Sequence, residues 1–168
     1  MRSPAIAVVL LLLVRETHAA GLSFAADGLE ECRARVARVA SGEVVYIEQS
    51  PAGGAGVALT ACSVLDASAA DVWPVLRDCE LYQEFLPGVT RSGVRERRDD
   101  SALCDALIDL PFPLGELRSA ERARERALPD GGFERRWSLD SGTYRRLEGS
   151  WTVLPWNGEE QQALLVYQ

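Results

Sequence analysis

Apolar residues recur at helical spacing near the start of the chain and at strand spacing through most of the remainder. Leu29, Cys32, Val36 and Val39 share one side of a helical projection, with Arg33, Arg35 and Arg38 elsewhere. This predicts a helix over 27–41, stopped by Gly42. Glu43 to Glu48 and Val57 to Leu65 are β-rich runs either side of Ser50-Pro51-Ala52-Gly53-Gly54, a pattern that reads as a hairpin. Ser68-Ala69-Ala70-Asp71 then has the form of a capping box ahead of Val72, Trp73, Val75 and Leu76, so a short helix starts there. Pro74 lies past the first turn and removes a backbone hydrogen bond, which predicts a kink or a stop near Cys79. Glu80 to Phe85 has room for one more helical turn before Pro87-Gly88 ends it.

After Val89 the helical period disappears. Six strand-like stretches follow: 89–97, 102–110, 117–128, 132–139, 145–155 and 161–167. The breaks between them, at Asp99-Asp100, Pro111 to Gly115, Pro129 to Gly132, Ser141-Gly142 and Trp156-Asn157-Gly158, are turn chemistry suited to a meander of hairpins. Gly149, inside its strand pattern, marks a bulge or bend. The predicted class is α+β, with helices first and a long antiparallel run after them.

At 168 residues the chain suits one domain, which buries about two-thirds of its unfolded surface. The net charge of -7 disfavours nucleic acid and anionic membrane surfaces as partners. All 18 basic residues are Arg, so Schiff-base chemistry and a phosphate-loop lysine are excluded. Met1-Arg2-Ser3-Pro4 followed by the apolar run Ala5 to Val14 resembles an export signal, with Thr17-His18-Ala19 supplying a cleavage site. The expected division is therefore a signal peptide over 1–19, a helical segment over 20–42 and the main domain over 43–168. The alternative is an uncleaved anchor, for which the apolar run is short. Cleavage takes away the only His, His18, and with it Ser-His-Asp, Cys-His and His-containing zinc or haem chemistry. A periplasmic or secreted location follows, with no membrane span left after cleavage.

Four cysteines, Cys32, Cys62, Cys79 and Cys104, form no CxxC, and their spacing does not suit a four-thiolate zinc site. No metal or cofactor is expected. Buried free thiols fit these positions, and so do one or two disulfides. Cys62 on the second strand and Cys79 beside the first short helix flank elements expected to pack together, which makes them the expected pair.

Ala69-Ala70-Asp71-Val72-Trp73-Pro74-Val75-Leu76-Arg77-Asp78, followed by Tyr82, Phe85, Leu86-Pro87 and Val89, resembles the START-like (helix-grip, SRPBCC) superfamily, in particular its polyketide cyclase/dehydrase and coenzyme Q-binding branch. The resemblance covers residue 42 to the end. Its matching residues are chiefly structural, so they mark a fold more than a reaction. It implies a curved antiparallel sheet gripping a long C-terminal helix, with an apolar cavity between them. Gln168 falls where the last strand closes, so that helix is missing from this sequence and the domain reads as C-terminally incomplete.

The cavity so implied has large side chains to line it: Phe85, Leu86, Leu110, Phe112, Phe133, Trp137, Trp151 and Tyr167, each of which an ordinary core also accommodates. Tyr144, Arg135, Arg122 and Arg124 are the candidates to orient a ligand. The stretch Arg118 to Arg126, interleaved with Glu121 and Glu125, reads instead as a solvated strand face with cross-strand ion pairs. Two functions follow from the resemblance. The first is an exported carrier for a lipid, quinone or polyketide-like molecule. The second is a cyclase or dehydratase using Asp105, Asp109, Glu116, an Arg or Tyr144, although no catalytic pair is visible. An interaction scaffold on the same fold is a third reading.

Overall fold

A computed structural model describes residues 28–49, 58–111 and 113–168. The expected export signal, the turn at 50–54 and Phe112 lie outside the described residues. Helix α1 spans 28–36. It is shorter than its apolar period suggests because the next turn tightens, with Arg38 N–H donating to the Arg35 carbonyl and Val39 N–H to that of Val36. Val39 is exposed. Gly42, at φ +83°, then reverses the chain at a conformation few residues other than glycine adopt.

Among the described residues eight antiparallel strands follow: β1 (Val45–Gln49), β2 (Ala58–Leu65), β3 (Val89–Arg98), β4 (Ser101–Asp109), β5 (Glu116–Ala127), β6 (Phe133–Gly142), β7 (Glu148–Trp156) and β8 (Glu159–Tyr167). They form one sheet in the order β1-β2-β8-β7-β6-β5-β4-β3. The meander β3 to β8 therefore carries the chain back until β8 pairs with β2, through Cys62↔Val166 and Val64↔Leu164. The expected α+β class and the helix-grip type of sheet are both observed. No long helix follows β8 among the described residues.

Between β2 and β3 the chain crosses the sheet as α2 (Ala69–Arg77), a 3-10 turn (Cys79–Leu81) and α3 (Tyr82–Phe85). The cap of α2 is the expected one: Ser68 Oγ accepts from Asp71 N–H at 3.1 Å and donates to Asp71 Oδ2 at 2.6 Å. Three residues beyond Pro74 the helix stops, and Asp78 is extended. Trp73 and Leu76 bury against the sheet with Val153 and Ala163, and Trp73 stacks on Phe133 at 5.1 Å between ring centroids. Each such side chain contributes roughly 1.5–3 kcal/mol of burial.

The period of two along each strand separates the sheet into two faces. On the inner face, under α2 and α3, lie Phe133, Trp151, Val153, Ala163 and Leu165. On the outer face Cys62, Val64, Leu154, Leu164 and Val166 pack against Cys32 and Val36 of α1. The N-terminal helix thus covers the back of the sheet and leaves the groove on the inner face untouched.

Two disulfides follow this division, Cys32–Cys62 with Cα atoms 5.9 Å apart and Cys79–Cys104 at 6.0 Å. The expected Cys62–Cys79 pair is corrected for a simple reason. Cys62 points to the outer face, where α1 lies, whereas Cys79 sits on the inner side above β4, in one cluster with Tyr82, Ala102 and Cys104. The sheet stands between them. Gly149 is corrected too. It pairs in register with Trp137 and marks no bulge. A Cβ placed on it would come within 2.5 Å of the Trp137 indole and 2.5 Å of the Gln168 carbonyl, so glycine there makes room for a ring.

Candidate functional site

The inner face and the α3 end enclose a cavity of about 460 Å³, within the range that holds small ligands. Its aromatic wall is Trp137 on β6, Trp151 on β7 and Tyr167 on β8. These three rings pack on one another, with centroids 6.2 Å apart for Trp137–Trp151, 5.8 Å for Trp137–Tyr167 and 4.7 Å for Trp151–Tyr167. Strand pairing explains the cluster: Trp151 lies opposite Tyr167 across β7 and β8, and the space left by Gly149 lets Trp137 lean over β7. Tyr82, Leu86 and Pro87 close the helical end, and Val44 and Tyr46, both exposed, mark the opening beside β1.

Among the described residues one carboxyl group faces this apolar wall. Glu121 of β5 lines the cavity, and its Oε1 accepts from Ser119 Oγ at 2.7 Å. Burial pushes its pKa above the ordinary carboxylate value, against the opposing effects of the Ser119 bond and the Arg135 charge. Burial likewise raises Tyr144 and Tyr167, and the negative charge of Glu121 adds to both shifts. Tyr82 is pushed up to about 12, chiefly by burial, and its hydroxyl donates to the Leu76 carbonyl at 2.8 Å.

Glu121 escapes a reading of β5 by composition. The run Arg118 to Arg126 is a solvated ion-pair face on one side only: Arg122 pairs with Asp140 at 3.0 Å and Arg126 with Glu134 at 2.6 Å, both Arg side chains exposed. Regular alternation along β5, in unbroken register with β4 and with β6 from Glu121 to Ala127, sends Glu121, Ala123 and Glu125 inward. A charged residue at every second position beside alanines was the available signal.

The expected site residues divide. Trp137 and Trp151 line the cavity, and Tyr144 is half-buried within the electrostatic reach of Glu121. Phe85 is exposed and packs edge-on against Tyr82, while Leu110 sits beyond the end of β4 and lines nothing here. Arg122 and Arg124 are exposed. Arg135, 2% exposed, is bound elsewhere: it donates to Glu125, to the Arg77 carbonyl at 2.9 Å, and lies 2.9 and 3.0 Å from the sulfurs of Cys79 and Cys104. It anchors the end of α2 to the sheet. Of the acids weighed for catalysis, Asp105 pairs with Arg95, Glu116 with Arg118, and Asp109 is exposed, so none faces the cavity. No group of three or more potential metal ligands occurs among the described residues.

Residues 65–166 match the family model described as polyketide cyclase / dehydrase and lipid transport. The chain belongs to that family. A search of curated protein sequences finds no match. Among solved structures, the STAR-related lipid transfer protein from Xanthomonas axonopodis is similar at a TM-score of 0.66 and 19% identity, over 77% of each chain. Human StAR-related lipid transfer protein 5 is similar at 0.60 and 12%, over 90% of this chain and 81% of that one. The lipid transfer and protein localization domain of human StarD13 is similar at 0.61 and 14%, over 77% and 70%. At these identities the likeness is one of fold. The polyketide cyclase / dehydrase and lipid transport match runs from the end of β2 into β8, so Glu121, Trp137 and Trp151 fall inside it, Tyr167 lies one residue past its end, and α1 and β1 precede it.

Proposed function

We propose that this protein is an exported carrier of a hydrophobic small molecule, a lipid, quinone or polyketide-like compound, held in the inner-face cavity. The observation that carries the proposal is the cavity itself: three packed aromatic rings and an apolar helical end surround it, with a single carboxyl group among the described residues to orient what enters. The family and the neighbours named for lipid transfer support it by analogy. Two disulfides in so small a chain suit an oxidising compartment. Sequencing the N-terminus of exported material tests that part, with Ala20 the expected first residue.

The binding test is a titration of quinones, fatty acids and aromatic polyketides, followed by tryptophan fluorescence. Binding quenches Trp137 or Trp151, and Trp137→Ala or Trp151→Ala loses affinity out of proportion to stability. A panel that binds nowhere leaves the fold as an interaction scaffold. An enzymatic reading has one observation in its favour, the half-buried Glu121 carboxyl within electrostatic reach of Tyr144 and Tyr167, groups able to move a proton at a carbonyl-bearing chain. Turnover of a panel member that Glu121→Gln abolishes decides for that reading.

A further inference from the structure

Glu121 carries the one formal charge among the described residues that line the cavity. No cation lines it. Arg135 is the guanidinium whose field reaches Glu121, and it is committed to Glu125, the Arg77 carbonyl and the sulfurs of Cys79 and Cys104. The neighbouring arginines of β5 point away: Arg118 pairs with Glu116 and Arg122 with Asp140 on the exposed face. A ligand with an anionic end therefore meets a carboxyl group and finds no counter-charge. Two carboxylates sharing a desolvated site repel, and one must take up a proton for both to stay.

The same residues disfavour a cation. The Trp137, Trp151 and Tyr167 rings fill the space over one another at 4.7–6.2 Å between centroids, so they do not open into a cage around an ammonium group. Within the cavity the Glu121 carboxyl is itself held towards its neutral form by burial. Ser119 occupies Oε1, and among the described residues no protein donor reaches Oε2. A hydroxyl satisfies that oxygen in either state, donating to a carboxylate or exchanging donor and acceptor roles with a carboxylic acid.

We infer, building on the carrier reading, that the ligand is an uncharged amphiphile whose hydroxyl end is held by Glu121, and that the cavity discriminates against free carboxylic acids. Calorimetric titration of the whole chain at neutral pH with 1-dodecanol, dodecanoate and dodecylamine tests this with one chain length and three end groups. The alcohol is expected to bind at least about tenfold more tightly than the acid, and Glu121→Gln to reduce that ratio to below about threefold, chiefly by admitting the acid. The ranking on the unaltered chain stands whether or not the variant folds. Dodecanoate equal to or tighter than dodecanol, or dodecylamine more than about tenfold tighter, overturns the hydroxyl assignment and leaves the carrier reading intact. Failure of all three to bind overturns both.

Discussion

Arg135→Met removes the guanidinium that joins four parts of the molecule while keeping much of its volume, so the packing cost is small. The side chains of Arg135 and Glu125 are 2% and 4% exposed, which makes theirs a buried ion pair. Removing one partner of such a pair costs about 3–5 kcal/mol, because the remaining charge stays buried. Here Glu125 keeps Arg77 at 2.9 Å, and the Arg77 carbonyl keeps Arg97 at 3.0 Å, so the loss falls near the lower figure, about 3 kcal/mol. For a chain of this size that is a fall in Tm of roughly 6–12 °C. Thermal and urea unfolding followed by far-UV circular dichroism measures it. The double variant Arg135→Met, Glu125→Leu should recover most of the loss, since an apolar pair of similar size replaces the ion pair without a stranded charge. An Arg135→Met chain that melts within about 1 kcal/mol of the parent but loses ligand affinity would refute the anchoring role and restore Arg135 to the binding site.

Gly149→Ala places a methyl group 2.5 Å from the Trp137 ring, and overpacking of this kind costs about 1–3 kcal/mol, so a lower unfolding midpoint and a shifted tryptophan emission are expected together. Trp73→Ala removes the ring stacked on Phe133 and should cost about 3–5 kcal/mol in denaturant unfolding, with binding by the folded fraction retained. Burial raises the pKa of Glu121 above the ordinary carboxylate value, so the folded chain holds that proton more readily than the unfolded one. The resulting stabilisation is present below the unfolded value and is lost as pH rises through the folded one. Glu121→Gln should therefore flatten that part of the stability profile, and an unchanged slope in denaturant midpoints measured against pH counts against the burial of this carboxyl.

Much of the architecture is legible along the chain because its signals are local. The Ser68 cap, the stop after Pro74, most of the turns between β3 and β8 and the alternation within each strand depend on neighbours a few residues apart, and the structure places elements where those signals stand. The expected break at Ser141-Gly142 is the exception, since β6 runs through it and the chain turns at 143–147. The resemblance carried by residues 69–89 depends on the same local packing positions, Trp73, Leu76 and Tyr82, all of which are buried. Trp137 and Trp151 were legible as wall residues for a related reason: large aromatics alternating on strands of a curved sheet must face one side together.

What local pattern leaves open is which side each strand shows to its neighbours, and this is settled only when strands pair. The unbroken pairing of β5 with β6 puts Glu121 and Glu125 opposite Leu139 and Arg135, on the face of Trp137, so two acids in an arginine-rich run become one cavity group and one buried anchor. Face parity likewise separates Cys62 from Cys79 and joins each to a partner 30 or 25 residues away, at Cys32 and Cys104. Arg135 reaches Arg77 and Cys79 across more than fifty residues of chain, a contact no spacing rule contains. The elements follow from short-range propensity, whereas the site follows from register, because one step along a strand exchanges solvent for the interior.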